Sequence, residues 1–149
     1  MGPRTADRRL YFEDVEVDFA LETPALTLTE THVAMFGGLT GDRAADPRAV
    51  PELLPLCLSS GLGWRIPQPP LVVLAFMGFE WKFLRAARVG DTIRCVSRSV
   101  VKRRMKEGGV VIEERKILNQ RDEVIQSGKL TLLVARRPVG DRDAAGPAA

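Results

Sequence analysis

Hydrophobic and polar positions fall into two rhythms along the chain, and the change of rhythm separates a helical first part from a stranded second part. In TETHVAMFGGLTGD, residues 29–42, Val33, Phe36 and Leu39 sit at helical spacing behind threonine cap candidates, and glycines end the run. The spacing predicts a short helix. From Ala49 to Leu62 the apolar residues Val50, Leu53, Leu54, Cys57, Leu58 and Leu62 recur at i, i+3, i+4, i+7, i+8 and i+12. That pattern predicts a mostly buried helix. Pro51 suits a first turn, whereas Pro55 deletes a donor and crowds the turn before it, which predicts a kink or a start near Pro55. IPQPP at 66–70 ends the element.

The rest reads as strands. LVVLAFMGFEWKFLR is long, β-branched and aromatic; GDTIRCVSRSVVKRR and GGVVIEERKILN alternate; EVIQSGKLTLLVARR places Leu130, Leu132 and Val134 on one face. Turn chemistry in ARVGD (87–91), EGG (107–109) and NQRDE (119–123) predicts a meander of four long antiparallel strands. Such a sheet must cover its apolar face, and the helix at 49–64 is the element apolar enough to do it. The expected fold is therefore α+β: one domain, an antiparallel sheet wrapped around a central helix. Its expected span is 11–137, with 1–10 and 138–149 as flexible ends rich in small, charged and Pro/Gly residues.

Composition narrows the function classes. At 149 residues, 45% hydrophobic and 28% charged, the chain has enough apolar content for one core and is unlike a disordered segment. Its apolar runs are too short to span a bilayer. Cys57 and Cys95 lack metal or redox spacing, and no secretory leader pattern precedes them, which points to a reducing cytoplasm. The single histidine, His32, lacks the companions a metal site needs, so neither metal nor cofactor is expected. The net charge is +3, concentrated in a strip with Arg85, Arg88, Arg94, Arg98, Lys102, Arg103, Arg104 and Lys106 against Asp91 alone. The strip is either the solvated faces of two strands or a surface for phosphate or an acidic partner. It lacks the interleaved aromatics of a base-stacking platform, which argues against nucleic acid.

Longer segments carry a resemblance. YFEDVEV (11–17), ETPALTLTETHVAMFGGLTGD (22–42), LSSGL (58–62), GFEWKFLRAARVGDTIR (78–94) and LNQRDEVIQSGKLTLLVARRP (118–138) together resemble the MaoC-like (R)-specific enoyl-thioester hydratases and 3-hydroxyacyl dehydratases. FLRAARVGDT and NQRDEVIQSG are the most specific pieces, in the family's order. The resemblance implies a hot dog fold and chemistry that adds water to, or removes it from, a 2,3-unsaturated thioester. In that family an aspartate and a histidine five positions later move the protons, and amides at the start of the central helix hold the enolate oxygen.

This chain departs from that pattern. Asp42 matches the family aspartate, but five positions on stands Pro47 rather than histidine, and His32 lies ten residues upstream. Where the family has AHGM at the helix start, this chain has VPEL, which places Pro51 and Glu52 at the oxyanion position. Proline brings no amide, and a carboxylate competes for those that remain. The expectation is a catalytically degenerate subunit that binds an acyl-CoA or acyl-carrier-protein thioester and pairs with an active hot dog homologue, in fatty-acid or polyketide metabolism. Two alternatives stay open. One is a self-sufficient hydratase or thioesterase using relocated carboxylates, with Glu52 as base or nucleophile and Asp42 assisting; the other is a homodimeric thioester binder without turnover. Asp42 has a simpler reading as a loop cap. Trp64, Phe76, Phe79, Trp81 and Phe83 either line an acyl tunnel or pack in the core or an interface.

Overall fold

The computed structural model describes residues 8–139, and both expected flexible ends fall largely outside that span. Pairing begins at Leu10, whose amide donates to the Pro70 carbonyl at 2.9 Å and whose carbonyl accepts from Val72 at 2.8 Å.

The elements run β1 (Ala20–Glu22), β2 (Leu26–Thr27), α1 (Glu30–Thr40), α2 (Leu53–Gly63), β3 (Val73–Phe83), β4 (Thr92–Met105), β5 (Gly108–Leu118) and β6 (Val124–Val134). All strand pairs are antiparallel, in the order β1-β4-β5-β6-β3, with β2 also on β4. The four long strands match the predicted ones, but they do not form a simple meander. β4, β5 and β6 do; β3 pairs with β6 instead of its successor β4. The free side of β4 is taken by β1 and β2, short segments flanking Pro24 that carry too little alternation to be read as strands. The amides of Leu84 and Arg85 both bond the Ile125 carbonyl, which carries the β3–β6 pairing into the connector before the chain crosses to β4. β3 is thus an edge strand, and its register against β6 shifts twice, between Val73 and Ala75 and between Phe76 and Gly78. These are β-bulges or close irregularities.

α2 starts at Leu53, close to Pro55 as the prolines allowed, so Pro55 falls in the first turn, where its missing donor would have had no partner, and the proline is accommodated. It differs from its expected form in being buried on one side only. Leu54, Ser59 and Leu62 face inward while Leu53, Cys57, Gly61 and Trp64 are exposed. In α1, Val33 and Phe36 pack on the core, but Leu39 is 86% exposed, because a step of six residues from Val33 carries it off the buried stripe.

The inner face of the sheet holds two apolar clusters. Leu54 of α2 packs there with Leu28, Val50, Ala87, Ile93, Ile117 and Ile125. Toward the other end, Phe12 packs on Val111, Leu132 and Val134. Cys95 is buried in the sheet beneath α2, and that burial pushes its thiol up to about 11 from an ordinary 9.0. Cys95 is therefore expected to resist alkylation in the folded chain at about pH 8 and to react after denaturation. The thiolate forms first in the unfolded chain, so the denaturation midpoint should fall as the pH climbs from about 9 through 11. Rapid labelling of Cys95 in the native state would contradict this packing.

Candidate functional site

The start of α2 is where the resemblance places chemistry, and the structure puts a cleft of about 210 Å³ there. Glu52, Pro55, Phe83, Arg85 and Gln126 are among its walls. Gln126 is buried and holds the site together: its amide nitrogen donates to the Glu52 carbonyl at 2.7 Å, and its oxygen accepts from the Trp81 indole at 2.9 Å. This relay ties β3, β6 and the helix start into one unit. Nothing in the sequence pattern marked Gln126 beyond its place in the NQRDEVIQSG segment.

The helix start is poor in donors. A helix normally offers its first amides to a ligand or a cap. Here Pro51 and Pro55 have none, and the Leu54 amide is used by the Pro51 carbonyl at 3.0 Å. Glu52 occupies the cap position, is exposed, and makes no side-chain cap bond.

The other expected site residues do not converge on this cleft. Asp42 is exposed beyond the end of α1, with its amide on the Thr40 hydroxyl at 3.1 Å, and it is not among the cleft residues. His32 is the third residue of α1, where its Nδ1 accepts from the Thr29 amide at 3.1 Å and its own amide donates to the Thr29 hydroxyl at 3.3 Å. It is a helix-capping residue. Eleven residues of α1 at about 1.5 Å rise each put it at the far end of the helix from Asp42. The carboxylate engaged in the 42–48 loop is Asp46, held below its ordinary range by the Arg48 amide and by Arg88. Among the described residues no group of three or more acidic, cysteine or histidine side chains could hold a metal.

The aromatic residues divide. Trp81 packs on the core beneath α2. Phe79, Trp81 and Phe83 pair with Leu130, Gly128 and Gln126, so they share the inner face. Phe76, Phe79 and Phe83 are nonetheless 57%, 55% and 42% exposed, and Trp64 at the end of α2 is exposed as well. Core packing therefore accounts for Trp81 alone among the five. Beside them lies a pair the sequence did not single out. Glu113 and Arg115 form a 2.8 Å ion pair, largely buried, between the two apolar clusters. Two charges at i and i+2 on one strand look like ordinary alternation, and only the register shows that they face inward.

Half of the basic strip is neutralised. Arg85 faces Glu123, Arg88 faces Asp46, Arg94 lies between Glu22 and Asp122, and Arg98 lies near Glu114 and Asp18. Its first half is a ladder of exposed pairs, each contributing little.

No family model matches the chain, and no curated protein matches it. Solved structures do. A monoamine oxidase regulatory protein from Archaeoglobus fulgidus superposes with a TM-score of 0.80 at 26% identity, covering 89% of this chain and 99% of that one. A MaoC-like dehydratase from Rhodospirillum rubrum gives 0.71 at 19% identity, covering 87% and 99%. This chain has the hot dog fold. Another hot dog neighbour is HadBC from Mycobacterium tuberculosis, a 3R-hydroxyacyl-ACP dehydratase complex, with a TM-score of 0.60, 10% identity and coverage of 78% and 96%. Within the hot dog frame, the helix start and the exposed inner face of β3 are open to a ligand or a second unit. No helix among the described residues is long and apolar enough to cross a membrane.

Proposed function

We propose that this protein is the non-catalytic half of a hot dog pair, binding an acyl thioester while an active homologue adds or removes water. The observation that carries the reading is the helix start, where Pro51 and Pro55 bring no amide and the Leu54 amide is already bonded, which leaves few donors for an enolate oxygen. Losing one oxyanion donor costs about 10² to 10³ in rate, and losing a positioned acid or base typically about 10² to 10⁴. His32 is committed to capping α1, and Asp42 stands apart from the cleft.

Two further observations support a partner. At about 210 Å³ the cleft is smaller than the roughly 300–1,000 Å³ of a complete small-molecule site, which supports a site finished by a second unit. β3 leaves an eleven-residue edge carrying exposed Phe76, Met77, Phe79 and Phe83, an arrangement isolated sheet proteins avoid. The HadBC complex offers a neighbour of this kind. A second reading, thioester hydrolysis by Glu52, draws on the exposure of that carboxylate in the cleft wall.

The test assays the purified chain alone and mixed with a hot dog homologue that retains the aspartate and histidine, using crotonyl and longer enoyl thioesters. The chain alone is expected to leave them unhydrated, while the mixture hydrates long-chain substrates faster than the homologue alone. Hydration by the isolated chain at an ordinary enzymatic rate overturns the proposal. Hydrolysis of acyl thioesters that Glu52→Gln abolishes establishes the second reading instead.

A further inference from the structure

A second cleft, of about 580 Å³, lies toward the other end of the sheet from the helix start, and neither the strand chemistry nor the hot dog resemblance assigns it a role. Its walls are Phe12, Glu13, Lys102, Arg104, Arg136, Arg137 and Val139, so four cations face one carboxylate. They come from three separate parts of the chain: the turn at 12–14, the end of β4, and the segment after β6.

The frame is fixed by bonds that leave some donors committed and others open. The Phe12 amide donates to the Ala135 carbonyl at 2.8 Å, and the Phe12 ring fills the space where a side chain on Gly109 would stand. Lys102 donates to the carbonyls of Glu13 and Val15 and lies over the Phe12 ring. Arg137 grips both oxygens of Asp14 at 2.6 and 2.8 Å. The remaining two are different. Arg136 is ion-paired with Glu13 through its Nε at 3.6 Å, too long for a hydrogen bond, so that buried nitrogen has no hydrogen-bond acceptor among the described residues. Arg104 has no ion-pair partner among the described residues, and it pairs across the hairpin with Gly109, directly beneath Phe12. Buried donors without acceptors are uncommon in folded proteins, and guanidinium groups match the oxygens of a phosphate two at a time.

We infer that this cleft is a binding site for a phosphate-bearing small molecule, with Arg104 and Arg136 as its principal donors and Lys102 and Arg137 supplying fixed positive charge. The site is independent of what the helix-start cleft accepts. Period-two alternation provides an internal control, because Arg103 lies on the opposite face of the same strand.

Calorimetric titration of the full chain at low salt with inorganic pyrophosphate and with adenosine 3′,5′-bisphosphate tests it. Saturable binding is expected that weakens at least tenfold in Arg104→Ala and in Arg136→Gln, stays unchanged in Arg103→Ala, and declines with added salt. A preference for the bisphosphate identifies a nucleotide as the source of the phosphate, whereas equal or tighter pyrophosphate binding identifies a free polyphosphate. Binding of neither probe, or equal weakening by Arg103→Ala and Arg104→Ala, overturns the assignment. Thermal denaturation of each variant without ligand separates lost binding from lost folding.

Discussion

Gly128→Ala is expected to lower the folded-to-unfolded ratio by roughly 100-fold, a loss of about 3 kcal/mol, at the upper end of what overpacking a tight site costs. Gly128 sits on β6 directly opposite Trp81, and a Cβ built on it would fall inside the carbonyl oxygen of Glu80 and the six-membered ring of the indole. One of these obstacles is backbone, so no side-chain rotation relieves the clash. The edge strand must move away from β6, and that movement pulls Trp81 from Gln126 and Gln126 from the helix start. Urea denaturation should show a lower midpoint, with altered Trp81 fluorescence before unfolding. A wild-type midpoint would mean that β3 is not seated on β6 as described.

The second large effect concerns the exposed inner face of the same strand. Phe79→Asp places a carboxylate in the exposed aromatic run, next to Phe76 at a ring separation of 6.1 Å. In the free chain that position is over half exposed, so the substitution should leave the fold intact. Against an apolar partner the carboxylate must be stripped of water, at an effective cost of several kcal/mol. Sedimentation is expected to show a folded 16.4 kDa monomer that no longer joins the hot dog unit bound by the unmodified chain. Unchanged association would place the contact elsewhere and remove the edge strand from the proposed pairing.

How much of this was readable in the residues depended on whether the signal was local. The long strands were, because alternation over ten or more positions leaves few alternatives, and so was the helix beneath which Ile93 and Ile117 pack. The placement of β3 beside β6 was not: both neighbours of β4 in sequence offered turn residues, and the choice was made by β1 and β2, which are too short to announce themselves. The apolar spacing of the second helix runs back to Val50, but Pro51 and Pro55 set its start at Leu53, close to where the prolines placed it. At the candidate site the departures from the resembled pattern were legible, since Pro47 and Pro51 are visible as letters. What could not be read was the Trp81–Gln126–Glu52 relay, which joins residues 45 and 74 positions apart. The inward Glu113–Arg115 pair escaped for a related reason, as its burial follows from register and not from composition.

The two register shifts near the start of β3 have a consequence for how this molecule behaves at high concentration. A flat, greasy border would recruit any extended peptide, including unfolded copies of itself, and grow into fibrils. Breaks between Val73 and Ala75 and between Phe76 and Gly78 leave only the stretch from Gly78 to Phe83 regularly spaced. A newcomer must therefore match a short template and accommodate the kinks beside it. Irregularity here works as a filter against the indiscriminate stacking that amyloid requires.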